Sequence, residues 1–355
     1  MQKAIFVTEV GKPVSLGTRP IPTPGPEDVL IKVTSTMLLP HDTYGRDMGL
    51  FVGKKLPFIL GGNIAGIVMK VGDNVNKYTV GQHIYGQGRM LDPTPDSTGL
   101  QEYAILRPNF SALVSLGFTD DQLVTLPINA TTSFSALFHQ NWFGFAPPFP
   151  SAEHGSRPNY TEEAIVIIGA GSNVGKLAIQ FARIRAIGTI IAVASVSGTQ
   201  DLKAMGATHV VDRHSPNIVE EVQVITGGPE SVTHVYDCVN WTYELATAMV
   251  SKTRPSFIAA LHPAEQAVQE LRRLGKEKCV AKTVSGSNNN FEGSPVGDLF
   301  WDALGAWVQE GKIQIPKYMT IEGLDERKIN EALDSYRDGR PVLQAIVHPG
   351  ATADT

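Results

Sequence analysis

Residues 164–182 have the sequence AIVIIGAGSNVGKLAIQFA, and this stretch decides the fold. Its first five residues are apolar, which is typical of a strand buried on both faces of a parallel sheet. Glycines follow at 169, 171 and 175, and apolar residues then recur with helical spacing. The glycine pattern is one residue longer than the common G-x-G-x-x-G motif. The stretch predicts a tight turn from a buried strand into a helix.

Such a turn can bind a phosphate group. Glycines let the backbone approach a pyrophosphate, and the first N–H groups of the helix, which have no partner within it, point at the phosphate oxygens. The alternative is a glycine-rich turn without a ligand. We predict that a dinucleotide is held here by Gly169, Gly171, Ser172, Asn173, Val174 and Gly175.

Strands and helices alternate after this turn. The predicted strands are 164–168, 189–194, 209–211 and 234–236, and the predicted helices are 174–186, 201–205 and 218–225. This alternation implies βαβ units and a parallel sheet. The fold class is therefore α/β, with a Rossmann-type, doubly wound dinucleotide-binding domain over residues 131–290.

The rest of the chain has a different pattern. Residues 1–110 are β-rich, with short apolar segments between prolines and glycines, and no helical period persists there. The tail has two helical patterns, at 298–309 and 326–336, and a final strand at 344–347. We expect a second, β-rich domain over 1–130, completed by 291–355. A Pro-rich loop at 144–160 either borders a site or is an ordinary surface loop.

Composition limits the classes of partner. The chain has 355 residues, enough for two domains, and a formal net charge of -5 without a basic stripe, so we expect no nucleic-acid partner. No apolar stretch reaches the length of a membrane span, and the N-terminus does not resemble a signal peptide. The two cysteines, Cys238 and Cys279, form no disulfide framework. The predicted compartment is the cytosol.

The end of the second strand bears on the choice of dinucleotide. An NAD site usually has Asp or Glu there to hold the ribose 2′-OH, whereas this strand is followed by Ser195 and Ser197. Two hydroxyls could donate hydrogen bonds to a 2′-phosphate, and Arg213 is the nearest cation. The alternative is that both serines are ordinary turn residues. We expect NADPH.

Several segments together resemble a known superfamily. Residues 33–44 resemble a segment ending in Asn-Pro-x-Asp, residues 99–103 resemble a Gly-Gly-Phe-Ala-Glu-Tyr turn, and residues 126–137 resemble a domain-joining helix. The chain is similar to the medium-chain dehydrogenase/reductase superfamily, in its zinc-independent quinone-reductase and enoyl-reductase branch. The Pro-rich insert resembles that of fungal secondary-metabolism reductases, including enoyl reductases that act in trans on polyketide synthases. The resemblance implies a GroES-like catalytic domain beside the Rossmann domain.

The chain departs from its zinc-dependent relatives at the metal site. Leu39 stands where they carry a ligand Cys, and Gly62-Asn63 stands where they carry His-Glu. A catalytic zinc needs three protein ligands of N, S or O type, so no zinc is expected. The NADPH-binding branch commonly has Lys in place of Ser197 and Tyr in place of Arg213. It also often has Gly and Lys before the last strand, where this chain has residues 342–345.

The resemblance implies roles for further residues. His41, Asp42 and Tyr44 are the catalytic candidates, because a His can serve as general acid near neutral pH; the alternative for His41 is that it only packs over the cofactor. Asp42 is expected to orient its neighbours. The other expected cofactor contacts are Pro40, His41, Thr132, Val239, Asn240, Leu261 and His262. The substrate candidates are Asn63, Ser287, Asn288 and Phe291, for which a polar loop without a ligand is the alternative.

Without a metal to polarise a carbonyl, hydride addition to an activated C=C is the easier reaction, because hydrogen bonds can stabilise the enolate oxygen. We therefore expect a reductase of enones, enoyl thioesters or quinones. The substrate would be a small molecule, free or bound to a carrier protein, and the enzyme a monomer or homodimer. Two other functions stay open: metal-free reduction of a ketone or aldehyde, and a non-catalytic dinucleotide-binding protein.

Overall fold

The computed structural model describes residues 1–52, 55–89, 93–149, 158–291, 293–340 and 343–351. The chain divides into two units. The first unit comprises Met1–Ile128, Ser287–Glu310 and Ile315–Thr355, and the second comprises Asn129–Gly286 and Gly311–Gln314. The domain limits proposed from the sequence, with boundaries at 130 and 291, stay predictions. No helix of the described residues has the length and apolarity that crossing a membrane requires.

The elements are numbered in chain order. The strands are β1 (Gln2–Val7), β2 (Ser15–Arg19), β3 (Val29–Met37), β4 (Phe58–Ile59), β5 (Asn63–Val71), β6 (His83–Gln87), β7 (Tyr103–Leu106), β8 (Ser111–Leu113), β9 (Ala164–Ile168), β10 (Thr189–Ala194), β11 (His209–Asp212), β12 (His234–Asp237), β13 (Ser256–Ala260), β14 (Cys279–Thr283), β15 (Tyr318–Glu322) and β16 (Gln344–His348). The helices are α1 (Pro40–Met48), α2 (Asp120–Val124), α3 (Pro127–Phe138), α4 (Asn173–Ile184), α5 (Thr199–Met205), α6 (Ile218–Thr226), α7 (Glu244–Met249), α8 (Glu265–Arg273), α9 (Pro295–Gln309) and α10 (Glu326–Arg337).

The second unit contains a parallel sheet with the strand order β11-β10-β9-β12-β13-β14. All neighbouring strands in this sheet are paired in parallel, from β11 with β10 to β13 with β14. The apolar runs 165–168 of β9 and 190–194 of β10 are buried, as central strands covered on both faces require. The predicted α/β fold class, with its doubly wound sheet, is confirmed. The chain moves outward from β9 on one side and then crosses to β12 on the other, so β9 and β12 mark the point where the strand order reverses.

The strands of the first unit pair mainly antiparallel, and β15 pairs with β16 in parallel. The longest pairing joins β3 to β5, with register shifts between Leu30 and Ile31 and between Val33 and Ser35. Bulges of this kind bend a strand and help a sheet to curve. A smaller sheet has the order β2-β1-β4. The predicted tail elements are present as α9, α10 and β16.

Although no helical period persists in residues 1–110, a helix, α1, occupies Pro40–Met48. Apolar periodicity misses this helix, since its buried residues are Asp42, Thr43, Gly45 and Arg46. Polar contacts with α10 hold it instead. The Thr43 hydroxyl donates to the carbonyl of Leu333 (3.0 Å), and the Arg46 guanidinium lies 2.8 Å from Asp334. The helix begins at a proline, which is favourable at the first helical position.

The proline-rich loop at 144–160 lies partly outside the described residues, which omit 150–157. The two described ends of this loop are joined by Arg185. Its Nε donates to the carbonyl of Ala146 (2.7 Å) and its Nη2 to that of Pro158 (2.8 Å). Its guanidinium also lies over the Tyr160 ring, 4.3 Å from the centroid. These contacts fix where the loop leaves and rejoins the second unit.

A histidine at the end of β16 connects three elements of the first unit. His348 Nε2 lies 2.8 Å from Asp121 Oδ1 on α2, and its Nδ1 lies 2.9 Å from Glu322 Oε1 on β15. Asp121 also accepts a short hydrogen bond from the Ser35 hydroxyl on β3. The hydrogen bond to Asp121 raises the pKa of His348 to about 9, with burial opposing the rise and Glu322 adding to it. An imidazolium between two carboxylates therefore stabilises this corner.

We predict that the free energy of unfolding falls between pH 6.5 and about 9, by about 1–3 kcal/mol from this group. Because the folded pKa of His348 exceeds its usual value, the stabilisation is fully present below pH 6.5 and is lost as the pH rises through the folded pKa. Denaturant unfolding at several pH values measures it. In His348→Gln, the free energy of unfolding should depend less on pH between 6.5 and about 9. An unchanged pH dependence would show that His348 does not cause the loss of stability.

Candidate functional site

The glycine turn between β9 and α4 needs glycine at two positions for reasons of space. At Gly169, where φ is +74°, an added Cβ would lie 2.5 Å from Val239 Cγ1. At Gly175 it would lie 2.6 Å from the Gly169 carbonyl oxygen. Both distances are well inside van der Waals contact. The first glycine permits the turn beside Val239, and the last permits α4 to pack directly against the end of β9.

Gly171 differs from these two, because no atom lies within 4 Å of a Cβ added there. Its backbone faces open space at the beginning of a twelve-residue helix. Ser172 caps this helix, because its hydroxyl accepts from the N–H of Gly175 (3.1 Å). A helix N-terminus with an uncovered glycine backbone suits a pyrophosphate, since the helix dipole favours negative charge there. The turn fits the phosphates of a dinucleotide.

The end of β10 brings together the residues proposed to choose the dinucleotide. The hydroxyls of Ser195 and Ser197 lie 3.0 Å apart. The Arg213 N–H donates to the carbonyl of Ala194 (2.9 Å), which places Arg213 beside the end of β10. The Arg213 side chain is exposed, and its Nε donates to His214 Nε2 (3.1 Å). The three residues lie at one corner of the sheet's carboxyl edge.

The loop after β12 is organised by a buried carboxylate that the sequence did not single out. Asp237 Oδ1 accepts from the N–H groups of Val239 (3.2 Å) and Asn240 (3.0 Å), and Oδ2 accepts from Asn240 Nδ2 (2.9 Å). Burial raises the pKa of Asp237, and the bonds from Asn240 oppose this rise. The carboxylate fixes the loop so that Val239, 44% exposed, lies against Gly169.

The loop after β13 holds His262 against an indole. The His262 and Trp241 rings are stacked, with centroids 3.7 Å apart and planes inclined by 14°. The His262 carbonyl accepts from the Tyr243 hydroxyl (2.8 Å), and Leu261 N–H donates to the Asp237 carbonyl (3.2 Å). Burial lowers the pKa of His262, which favours the neutral imidazole. Trp241, half exposed, was missed in the sequence, where nothing distinguishes it from a surface aromatic.

In the first unit, Asp42 is a clamp. Its side chain is buried, Oδ2 accepts from the N–H of Leu39 (2.8 Å), and Oδ1 accepts from the N–H of Gly61 (3.0 Å). The first bond caps α1, and the second ties α1 to the segment before β5. Both carboxylate oxygens hold backbone N–H groups, which is what a residue that orients its neighbours would do; the role of Asp42 in the reaction stays a prediction.

His41 lines a cavity next to this clamp. Its Nε2 lies 3.8 Å from Asp42 Oδ1, which is too long for a hydrogen bond. Its ring meets Phe51 edge-on, with centroids 6.3 Å apart. The walls of the cavity are mainly apolar, with Arg89, Ser97 and Thr98 among its polar residues. Among the described residues, the His41 imidazole has no hydrogen-bond partner, so its ring nitrogens are available for a ligand.

Asn63, a substrate candidate, lies at the beginning of β5. Asn63 is completely buried: its Nδ2 donates to the Val124 carbonyl (2.9 Å) and its Oδ1 accepts from Ile128 N–H (2.9 Å). Both amide atoms of Asn63 therefore hold backbone groups, and the expected substrate contact at Asn63 stays a prediction.

Other candidates in the first unit are helix or loop residues. Pro40 is exposed at the beginning of α1, and burial raises the pKa of the half-buried Tyr44. Ser287 and Phe291 are buried, and the Ser287 hydroxyl donates to Asn289 Oδ1 (2.9 Å). The side chain of Asn288 lies outside the described residues, as does Val342 before the last strand. In the second unit, Thr132 is buried in α3.

Comparisons with known proteins agree with this architecture. Residues 25–115 match the family model described as the alcohol dehydrogenase GroES-like domain, and residues 173–296 match the one described as zinc-binding dehydrogenase. The dehydrogenase orsE of Emericella nidulans is 26% identical, with 97% of this chain and 98% of the relative covered. The trans-enoyl reductase himH of Aspergillus japonicus is also 26% identical, with 90% and 89% covered.

A solved structure shows the same fold. The Escherichia coli quinone oxidoreductase complexed with NADPH matches with a TM-score of 0.75 and 18% identity, covering 98% of this chain and 100% of the other. The chain belongs to the medium-chain dehydrogenase/reductase superfamily, in its enoyl-reductase and quinone-reductase branch. It is an oxidoreductase with a GroES-like domain and a Rossmann-type domain.

Zinc-binding members of this superfamily hold the metal with residues that this chain lacks. Leu39 and Gly62 have no side-chain ligand atom, and the amide of Asn63 is committed to backbone partners. Within the described residues, no group of three or more His, Cys, Asp or Glu side chains could hold a metal.

We predict that the purified protein contains well under one zinc per chain and keeps its activity after chelation. Elemental analysis by mass spectrometry, before and after dialysis against a chelator, measures this. Stoichiometric zinc whose removal abolishes turnover would show that ligands exist which the residue types at 39, 62 and 63 do not suggest.

The open space at Gly171 allows a direct test of the phosphate site. Gly171→Asp should weaken dinucleotide binding by at least about a hundredfold, because a carboxylate would repel the pyrophosphate where charge-assisted bonds form. The melting temperature should change little, because the added side chain meets no neighbour. Calorimetric titration with NADPH and thermal unfolding measure both quantities. Affinity preserved within a few-fold would mean that the phosphates bind elsewhere.

Proposed function

We propose that the protein is an NADPH-dependent, zinc-independent reductase that adds hydride to an activated C=C bond in an enone, enoyl thioester or quinone. The observation that carries the proposal is the cavity at His41, where an available imidazole lies beside apolar walls and the residues at the metal positions offer no ligands. A relative named trans-enoyl reductase and a neighbour crystallised with NADPH support it. Fungal secondary metabolism is the proposed setting.

The proposed division of labour follows from the two sites. The bound dinucleotide supplies the hydride. The turn at Gly169–Gly175 holds its phosphates, and the loops fixed by Asp237 position Val239, Asn240, Leu261 and His262 to orient the nicotinamide. His41 is proposed to donate a hydrogen bond to the substrate oxygen and then a proton to the product. Asp42 sets the position of His41 by anchoring the first turn of α1.

The experiment is a substrate panel followed by product identification. NADPH oxidation is measured with an enone, an enoyl thioester, a quinone and an aldehyde, and the products are identified by mass spectrometry. Saturated ketone, saturated thioester or hydroquinone is expected, with Gly171→Asp as the inactive control. Alcohols from the aldehyde or ketone alone would favour metal-free carbonyl reduction. Tight NADPH binding without any turnover would favour a non-catalytic binding protein.

The preference for NADPH is proposed to depend on Ser195, Ser197 and Arg213. Each charge-assisted hydrogen bond to a 2′-phosphate is worth roughly 1.5–3 kcal/mol, which is about ten- to a hundredfold in affinity. We predict that NADPH binds at least about tenfold more tightly than NADH, and that Arg213→Ala narrows the gap. Arg273→Ala, an exposed arginine paired with Glu270 on α8, is the matched control.

Side-by-side titrations of both dinucleotides measure this preference in the wild type and in the two variants. Equal affinities in the wild type, or a gap that Arg213→Ala leaves unchanged, would mean that the adenosine end is held by other residues.

A further inference from the structure

The cavity of the first unit contains a cation that no role described above uses. Arg89 lines it, half buried, directly after β6. The other polar side chains of the wall are largely committed: the Ser97 hydroxyl donates to the Thr94 carbonyl (3.1 Å) and that of Thr98 to the Pro95 carbonyl (3.1 Å). Asp42 is occupied by backbone N–H groups. Arg89 and His41 are therefore the side chains of this wall whose polar atoms are available for a ligand.

The position of Arg89 is set by the backbone before it. The N–H of Gly88 donates to the Gly62 carbonyl (2.8 Å), and a Cβ added at Gly88 would lie 2.1 Å from the Ser97 carbonyl oxygen. Only glycine allows so close an approach. Gly88 thus locks the end of β6 between two segments of the cavity wall, and Arg89 extends from this fixed point.

The guanidinium of Arg89 has no hydrogen-bond or ion-pair partner among the residues that the structure describes. A guanidinium keeps its charge at physiological pH and offers five N–H donors in a planar fork. Partial burial of a charge without a partner is unfavourable, so such a group favours a ligand that supplies the missing acceptors. The fork matches a carboxylate, which can accept two parallel hydrogen bonds.

The rest of the wall specifies what accompanies that carboxylate. Phe51, Val52, Phe58, Leu60 and Pro93 contribute apolar side chains to the cavity. Arg89 contributes the charged part of the same wall. A ligand that satisfies both features has a hydrocarbon chain and a carboxylate.

We propose that Arg89 is a specificity-determining residue that binds a carboxylate on an acyl-chain substrate, while the apolar wall takes the chain. The inference rests on the proposed function for its reaction, but the binding it describes needs no turnover. It predicts that, among substrates with the same activated C=C bond, the protein favours those with a distal carboxylate over the corresponding neutral esters and amides.

The first experiment measures binding without NADPH. Calorimetric titration of the full-length protein with octanoate and with octanamide should show octanoate binding at least about tenfold more tightly. Arg89→Met should lower octanoate affinity by about ten- to a hundredfold and reduce the preference to near unity. Arg89→Lys should retain part of the preference for octanoate, because an ammonium keeps the positive charge but lacks the planar pair of N–H donors. Arg327→Met, an exposed arginine on α10, is the matched control and should change neither affinity.

The second experiment measures selectivity in turnover, with an enone that carries a distal carboxylate and with its methyl ester. The ratio of kcat/KM for acid over ester should fall by about tenfold or more in Arg89→Met, through KM of the acid. An equal loss for acid and ester would mean that Arg89 acts on the enolate oxygen and would overturn the proposal, as would octanamide binding as tightly as octanoate. Binding selectivity without turnover would refute the proposed function alone.

Discussion

The close approach of α4 to the end of β9 is the constraint on which the dinucleotide site depends. The Gly169 carbonyl lies where a side chain at residue 175 would project, so the helix can begin there only with glycine. This contact holds the N-terminus of α4 against the carboxyl end of β9. Because β9 and β12 adjoin where the strand order reverses, the loops after both strands leave in different directions and open a crevice between them. Val239, in the loop after β12, lies against Gly169, which follows β9.

In the first unit, an imidazole lies in a cavity with mainly apolar walls. Leu39 and Gly61 occupy backbone positions that a single carboxylate, Asp42, links. The helix that carries His41 is consequently fixed at its first turn, and α10 holds it further along. A proton-donating group that is positioned in this way can act on an oxygen that gains charge during hydride addition, with no reorganisation of the protein. The same wall contains Arg89, whose positive charge favours a ligand with hydrogen-bond acceptors.

The fold was largely predictable because its signals are local. Buried parallel strands are continuous apolar runs, and the glycines at 169, 171 and 175 predict a tight turn from a strand into a helix. The helix α1 was not predictable from periodicity, because its buried face is polar and is satisfied by α10, almost three hundred residues away. Asn63 resembled a substrate contact by position, yet its amide braces Val124 and Ile128. Arg89 and Trp241 carried no sequence signal, since only the folded chain shows that one faces a cavity and the other stacks on His262.

The central claim, that hydride is delivered to carbon of a conjugated C=C bond, is tested most directly by isotope transfer. NADPH deuterated at the transferring position of the nicotinamide is incubated with the protein and an enone, and the product is analysed by deuterium NMR. One deuterium is expected on the carbon β to a carbonyl that stays intact. Deuterium on a carbinol carbon, with the double bond retained, would contradict it.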